Sequence, residues 1–311
     1  MVSNGEHTDY LEIAIEVDGE NLILDLTLNK QLIPKGFFQR HQENGKHVVH
    51  RPARDEVDHC HYNGKVRGKP DSWAALSTCN GLSGVIFDGH EMHYVENDDA
   101  IDDNSIETDH FVYRHSDMVE QNKTCGYGGD ASDPEHGHKT TDNRFLRHKR
   151  STDSNELIRG PYNANKESKY VELVLVVDNR EYKELGESKR RVIDRCKTIA
   201  NIINGLYSPL NIFIALVGVV IWSEHDEMTF SSNGDATLTS FLHYRKEKLL
   251  IDHPNDNAQL LTKFNFDHGV VGKALKGPMC TYEYSGGVNT DHSSVIGLVA
   301  TTIAHEMGHN F

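Results

Sequence analysis

Leu11–Val17 reads LEIAIEV and Leu22–Leu28 reads LILDLTL, with apolar and polar residues alternating at a period of two. Asp18-Gly19 between them is a turn pair, so the two runs predict a β-hairpin with one face turned to a core. Shorter runs predict strands at Gly84–Phe87, Met92–Val95 and Phe111–Tyr113, with an acidic solvated loop between the last two. From about Val119 to Ser168 apolar side chains are few, while Gly, Asp, Asn and Lys are many, which is the composition of a linker. Beyond it the period changes. Val171–Val177 is an almost continuous apolar run, as in a strand buried on both faces, and Ile212–Trp222 is a second. Between them Leu185, Val192, Ile199, Ile202, Ile203 and Leu206 recur at helical spacing and predict one long amphipathic helix over 181–207. A second helix is predicted over Leu238–Leu250, strands at Ala258–Thr262 and Val270–Leu275, and a third helix from Ser294 to Phe311. The order βαβαββα behind a β-rich segment predicts a two-domain α+β chain whose second part is a layered α/β unit.

A length of 311 residues suits two domains, and 37% hydrophobic with 25% charged residues is a globular composition. The net charge of −15 argues against nucleic acid or an anionic membrane as the main partner. No apolar run approaches the ~20 residues that cross a bilayer, and the opening MVSNGEHTDY lacks the basic-then-apolar pattern of a signal peptide. The five cysteines, Cys60, Cys79, Cys125, Cys196 and Cys280, are odd in number, so at least one is free, bound to metal or without its partner here. Two features of the linker point to the secretory pathway. Asn122-Lys123-Thr124 is a glycosylation sequon. Arg147-His148-Lys149-Arg150 is an exposed basic tetrapeptide of the kind that a proprotein convertase cuts, here after Arg150.

The predicted last helix carries His305-Glu306-Met307-Gly308-His309. Histidines four residues apart lie on one helical face about 6 Å apart along the axis, so both imidazoles can reach one Zn²⁺. Glu306, beside them, is placed to deprotonate a water activated by that metal. Ile296, Val299, Ala300, Ile303 and Met307 fall on the roughly opposite face, so one side of the helix packs inward while the other opens to a cleft. With 20 histidines in the chain the pentapeptide alone is moderate evidence, and its place on an amphipathic helix strengthens it.

ATTIAHEMGHNF resembles the start of the long metzincin zinc motif H-E-x-x-H-x-x-G-x-x-H. CHYNGKVRGKPDSWAALSTCNGLSGVI, KTCG and RHKR are similar to the prodomain, cysteine switch and activation site of the ADAM (a disintegrin and metalloprotease) family, meltrin-like branch. YVELVLVVDNREY, SPLNIFIALVGVVIW, DNAQLL, GVVGKALKGPMC and SGGVNTDHS resemble its reprolysin-type catalytic domain in order. The resemblance covers nearly the whole chain. It implies a β-rich prodomain over 1–118, a switch and activation linker over 119–168, and the upper part of a metzincin-type domain over 169–311.

Roles follow from that resemblance residue by residue. His305 and His309 match the first two zinc ligands and Glu306 the general base. Cys125 matches the thiolate that takes zinc's open position in the latent form, and Gly126, Gly128 and Gly129 would let the chain thread a narrow cleft. Cys60 and Cys79 match a disulfide pair, and Cys280 matches a cysteine whose partner lies further along the family's sequence. Glu172 and Asp256 match acidic positions of a structural Ca²⁺ site, partial here. Gly272–Met279 resembles the edge strand along which protein substrates add. Cys196 matches no motif and reads as a buried helix thiol.

The implied protein is a latent zinc endopeptidase acting on extracellular or membrane-anchored proteins, with the membrane reached only through segments outside this sequence. The third zinc His of the motif would fall beyond Phe311. A fragment of a longer product is therefore expected, with residues 1–311 inactive by themselves. The alternative is a non-catalytic truncated product that acts as a secreted decoy or inhibitor.

Overall fold

The computed structural model describes residues 2–3, 6–17, 19–53, 55–97, 110–118, 123–126 and 167–311. Asn122, Gly128, Gly129 and the basic tetrapeptide with Arg147, Lys149 and Arg150 lie outside the described residues, as does most of the acidic loop before Phe111.

The alternating runs at the N-terminus form the expected hairpin. After a short pair, β1 (Val2–Ser3) and β2 (Glu6–His7), come β3 (Tyr10–Val17) and β4 (Glu20–Leu28), antiparallel with Ile13 opposite Leu24. They continue into β7 (His61–Val66), β8 (Trp73–Ser77), β9 (Ser83–Phe87), β10 (Met92–Asn97) and β11 (His110–Arg114). These seven strands make one antiparallel sheet in the order β11-β10-β9-β8-β7-β4-β3. Leu24, Leu26, Tyr62, Leu76 and Ile86 are buried in its own core. In β7 only Tyr62 and Val66 are apolar, and β8, WAALS, is too short to show an alternation, so neither displays the period of two.

The second sheet belongs to the C-terminal part, with strands from earlier in the chain added at each edge. β13 (Lys169–Val177), β14 (Ile212–Ile221), β15 (Asn257–Thr262) and β17 (Gly286–Thr290) are parallel, and β16 (Val270–Ala274) is antiparallel to β17. At one edge β12 (Thr124–Cys125) lies along β16. At the other, β5 (Phe38–Glu43) pairs with β14 and with β6 (Lys46–His50). The order is β12-β16-β17-β15-β13-β14-β5-β6. The hairpin β5–β6 is rich in His and Gln, and its sequence shows no apolar alternation, so only its partner sheet makes it a strand pair.

The helix predicted over 181–207 is two helices, α1 (Asn179–Glu184) and α2 (Lys189–Tyr207). Gly186 and Glu187 both have positive φ, +72° and +55°, which breaks the ladder. Asp178 caps α1 through Glu181 N, and Ser188 caps α2 through Arg191 N. α3 (Gly234–Tyr244) runs on through a π turn at Arg245–Leu249 into the single turn α4 (Leu250–Asp252). α5 (Ile296–His309) is the helix of the histidine motif.

One apolar core runs through both parts. Leu32, Ile33, Phe37, Ala75, Val85 and Tyr94 from the first part pack with Ile199, Ile203, Val299 and Ile303 of α2 and α5. Two helical glycines permit this approach. A Cβ on Gly205 would stand 2.8 Å from the Ala75 Cβ, and one on Gly297 would stand 2.4 Å from Tyr94 Cδ1. Glycine within a helix costs about 1 kcal/mol relative to alanine, and here the close contact offsets it.

Candidate metal centre

α5 is held at both faces before its functional side chains are considered. Val299, Ala300, Ile303 and Met307 are fully buried beneath it. Tyr207 Oη donates to Ala304 O at 2.6 Å. Past the last turn, Asn310 Nδ2 donates to Leu275 O (2.8 Å) and Asn310 Oδ1 accepts from Asn257 Nδ2 (2.6 Å). Gly277 N and Met279 N donate to the carbonyls of His309 and Asn310 at 2.8 and 2.7 Å. The predicted edge strand Gly272–Met279 therefore ends at Ala274: beyond it the backbone turns to hold the helix end rather than continue the sheet.

On this support the His305 and His309 rings lie 4.7 Å apart between centroids and nearly perpendicular, at 88°. His305 is exposed, His309 half-buried, and Glu306 only 1% exposed. Both carboxylate oxygens of Glu306 are buried without a hydrogen-bond partner of good geometry among the described residues. Burial pushes this carboxyl up to about 7, against the lowering effects of the Cys125 thiol and the Lys273 ammonium. Burial, followed by the neighbouring His305, lowers the His309 imidazole. Gly272 faces Glu306 so closely that a Cβ there would lie 2.6 Å from Glu306 Oε1.

Cys125 reaches the same place from the linker. Thr124 pairs with Val270 and Cys125 with Gly272 in parallel register, and Gly126 N donates to Gly272 O at 3.0 Å. Lys273 Nζ donates to Gly126 O (2.6 Å), and Lys123 Nζ donates to His292 O (2.8 Å). These contacts set Cys125 Sγ 3.3 Å from His309 Nε2. The ligating atoms of Cys125, His305, Glu306 and His309 all lie within 4.8 Å of one another. Two imidazoles and a thiol beside a buried carboxyl form a set that suits Zn²⁺ and no hard, oxygen-seeking ion.

The other sequence candidates separate. Cys60 and Cys79 form a disulfide, so their sulfurs are not open to metal although His61 lies beside them. Glu172 and Asp256 meet, Glu172 N donating to Asp256 Oδ2 at 2.9 Å, but they join no cluster of three or more ligating side chains among the described residues. Cys196 is buried within α2, and burial pushes its thiol up. Cys280 is exposed, with φ of +63°. Sequence reading missed the clamp residues Lys123, Lys273 and Asn310. Each lies within two residues of a motif position, which was the available signal.

A helix that presents His305 and His309, with Cys125 set beside them by a strand from earlier in the chain, can be compared with known proteins. Residues 169–311 match the reprolysin (M12B) family zinc metalloprotease, and residues 2–67 match the reprolysin family propeptide. The chain belongs to this family, and its relatives include ADAM proteins. It is 34% identical over 98% of its length to "Zinc metalloproteinase-disintegrin-like BmMP" of Bungarus multicinctus, covering 48% of that protein. It is 37% identical over 98% to "Disintegrin and metalloproteinase domain-containing protein 12" of Mus musculus, covering 32%. With "Disintegrin and metalloproteinase domain-containing protein 33" of Homo sapiens it shares 34% identity over 96%, covering 35%. The chain thus spans about a third to a half of the length of these relatives. No helix among the described residues is long and apolar enough to cross a membrane.

Proposed function

We propose that the protein is a zinc-dependent endopeptidase made as a latent precursor, with Cys125 as the switch that closes the metal site. The observation that supports this is Cys125 Sγ, carried in by the linker strand Thr124–Cys125, among the ligating atoms of His305, His309 and Glu306. His305 and His309 would hold Zn²⁺, with Cys125 a further ligand in the latent form. When bound, zinc supplies Lewis acidity, lowering the pKa of a water and polarising the scissile carbonyl. Glu306 takes the water's proton and passes it to the leaving amine, a role that suits a carboxyl raised by burial toward the working pH. The edge of β16, occupied here by Thr124–Cys125, is where an extended substrate adds once the propeptide leaves.

Convertase cleavage after Arg150 starts that departure. The site of action is the secretory pathway, the cell surface or the extracellular space, and the substrates are extracellular or membrane-anchored proteins. Ca²⁺ at Glu172 and Asp256 would need oxygen ligands beyond this pair, since the ion takes six to eight.

The test is the full-length protein, cut at the basic tetrapeptide and assayed on an unselected peptide library. Cleavage abolished by a chelator and by Glu306→Ala is expected. Chelator-insensitive cleavage, or equal activity in Glu306→Ala, would overturn the reading.

A further inference from the structure

The propeptide's second attachment lies at the far edge of the catalytic sheet. Six strand-to-strand steps separate β12 from β5, roughly 29 Å at the usual spacing. There, alternate residues of β5 are each received by a feature of the catalytic part. A Cβ on Gly218 would lie 2.2 Å from the Phe38 ring, so the missing side chain is the notch that admits it. The ring stacks on His253 at 3.8 Å between centroids. Arg40, 3% exposed, donates to Tyr244 Oη and lies 3.6 Å from Glu227 Oε1. Gln42 Oε1 accepts from Glu224 N (2.9 Å) and His225 N (3.0 Å), and Gln42 N donates to Ser223 Oγ (3.0 Å). At the hairpin turn, Asn44 N and Gly45 N donate to the Glu224 carboxylate.

The catalytic side of this edge is acidic. A crevice of about 460 Å³ beside Arg40 is lined on its catalytic side by Asp226, Glu227, Glu247 and Asp252 against Lys248 and His225. When the propeptide leaves, β14 regains an open edge over Gly218–Ile221, with an aromatic notch and an acidic pocket two residues apart along it. Notch, pocket and unpaired backbone together read a strand, not a small molecule.

We propose that the β14 edge of the processed enzyme is a second peptide-binding site, remote from the metal, for an extended basic segment of a protein substrate with an aromatic residue and an Arg two positions on. The proposal rests on the peptidase reading and on removal of the propeptide. The aromatic side chain enters the Gly218 notch against His253, the Arg reaches Glu227 and Tyr244, and the segment pairs in parallel with β14. The contact raises the local concentration of a long substrate without touching the chemistry.

The test uses the full-length protein, processed and freed of its propeptide, and a labelled peptide of residues 36–51. The peptide is expected to bind. Phe38→Ala or Arg40→Ala in the peptide, or Glu227→Gln in the enzyme, should each weaken binding about tenfold or more. Hydrogen exchange should show the peptide protecting Gly218–Ile221, a readout that needs no variant. Bound peptide should leave cleavage of short peptides unchanged and slow cleavage of a protein substrate bearing such a segment. Failure to bind, or binding that does not compete with the protein substrate, would overturn the proposal. Loss of all peptide cleavage by the wild-type enzyme would instead sink the peptidase reading beneath it.

Discussion

The Cys125 thiol and the His309 imidazole are 184 residues apart in sequence and 3.3 Å apart in space. No local preference of either segment brings them together. β12 is placed by two residue pairs with β16, and by Lys123 and Lys273 gripping on either side of the cysteine. Under the proposed function, a thiol held this way would close the site to an activated water.

Replacing Cys125 by Ala in the full-length precursor should give peptidase activity before the propeptide is removed. Progress curves of uncleaved mutant and wild type compare the two directly. Equal latency would mean that the bulk of the propeptide strand does the blocking.

Arg147→Ala with Arg150→Ala should leave the precursor uncut, while the wild type yields a chain beginning at Ser151. N-terminal sequencing of the secreted product reads this out, and a start elsewhere would move the activation site.

Gly297→Val should loosen the propeptide from α5. A Cβ at this position already meets Tyr94 Cδ1 at 2.4 Å and Val85 Cγ2 at 2.7 Å. Overpacking of this kind costs typically about 1–3 kcal/mol, so the urea midpoint should fall. An unchanged midpoint would mean that the two parts adjust around the new side chain.

Stability should decline from pH 7 to pH 9. Glu181 is buried, and burial together with the neighbouring Asp291 charge pushes its carboxyl up to about 9. Its folded-state value exceeds the unfolded one, so the folded state binds more protons. The stabilisation is complete below the unfolded value and is lost as pH rises toward the folded one, at up to about 1.4 kcal/mol per pH unit for one proton. Glu181→Gln, which keeps a donor for Asp291, should flatten the profile of denaturant midpoints over this range. An identical slope in the variant would exclude Glu181 as the titrating group.

Reducing the Cys60–Cys79 bridge, or replacing both residues by Ser, should destabilise the β7–β8 region. The bond closes a loop of 19 residues, for which chain entropy predicts roughly 3 kcal/mol. Denaturation with and without reductant measures the difference.

Much of the molecule was legible in one dimension because the signals are local. Period-two alternation gave the hairpin β3–β4, and unbroken apolar runs gave β13 and β14. The spacing of His305, Glu306 and His309 placed three groups on one helix, since four residues are one turn whatever surrounds them. The break between α1 and α2 was missed because Gly186-Glu187 matters only through its positive φ. Strands β5 and β6 were missed for a deeper reason. Their residues have little strand preference of their own and are ordered by an edge of β14 contributed from more than 160 residues away. The sequence by itself determined that His305, Glu306 and His309 share one helix. Tertiary structure alone decided that strands from earlier in the chain pair with both edges of the C-terminal sheet and bring a thiol to the histidines, because pairing at a sheet edge and packing at a glycine depend on the partner's surface rather than on the chain's own period.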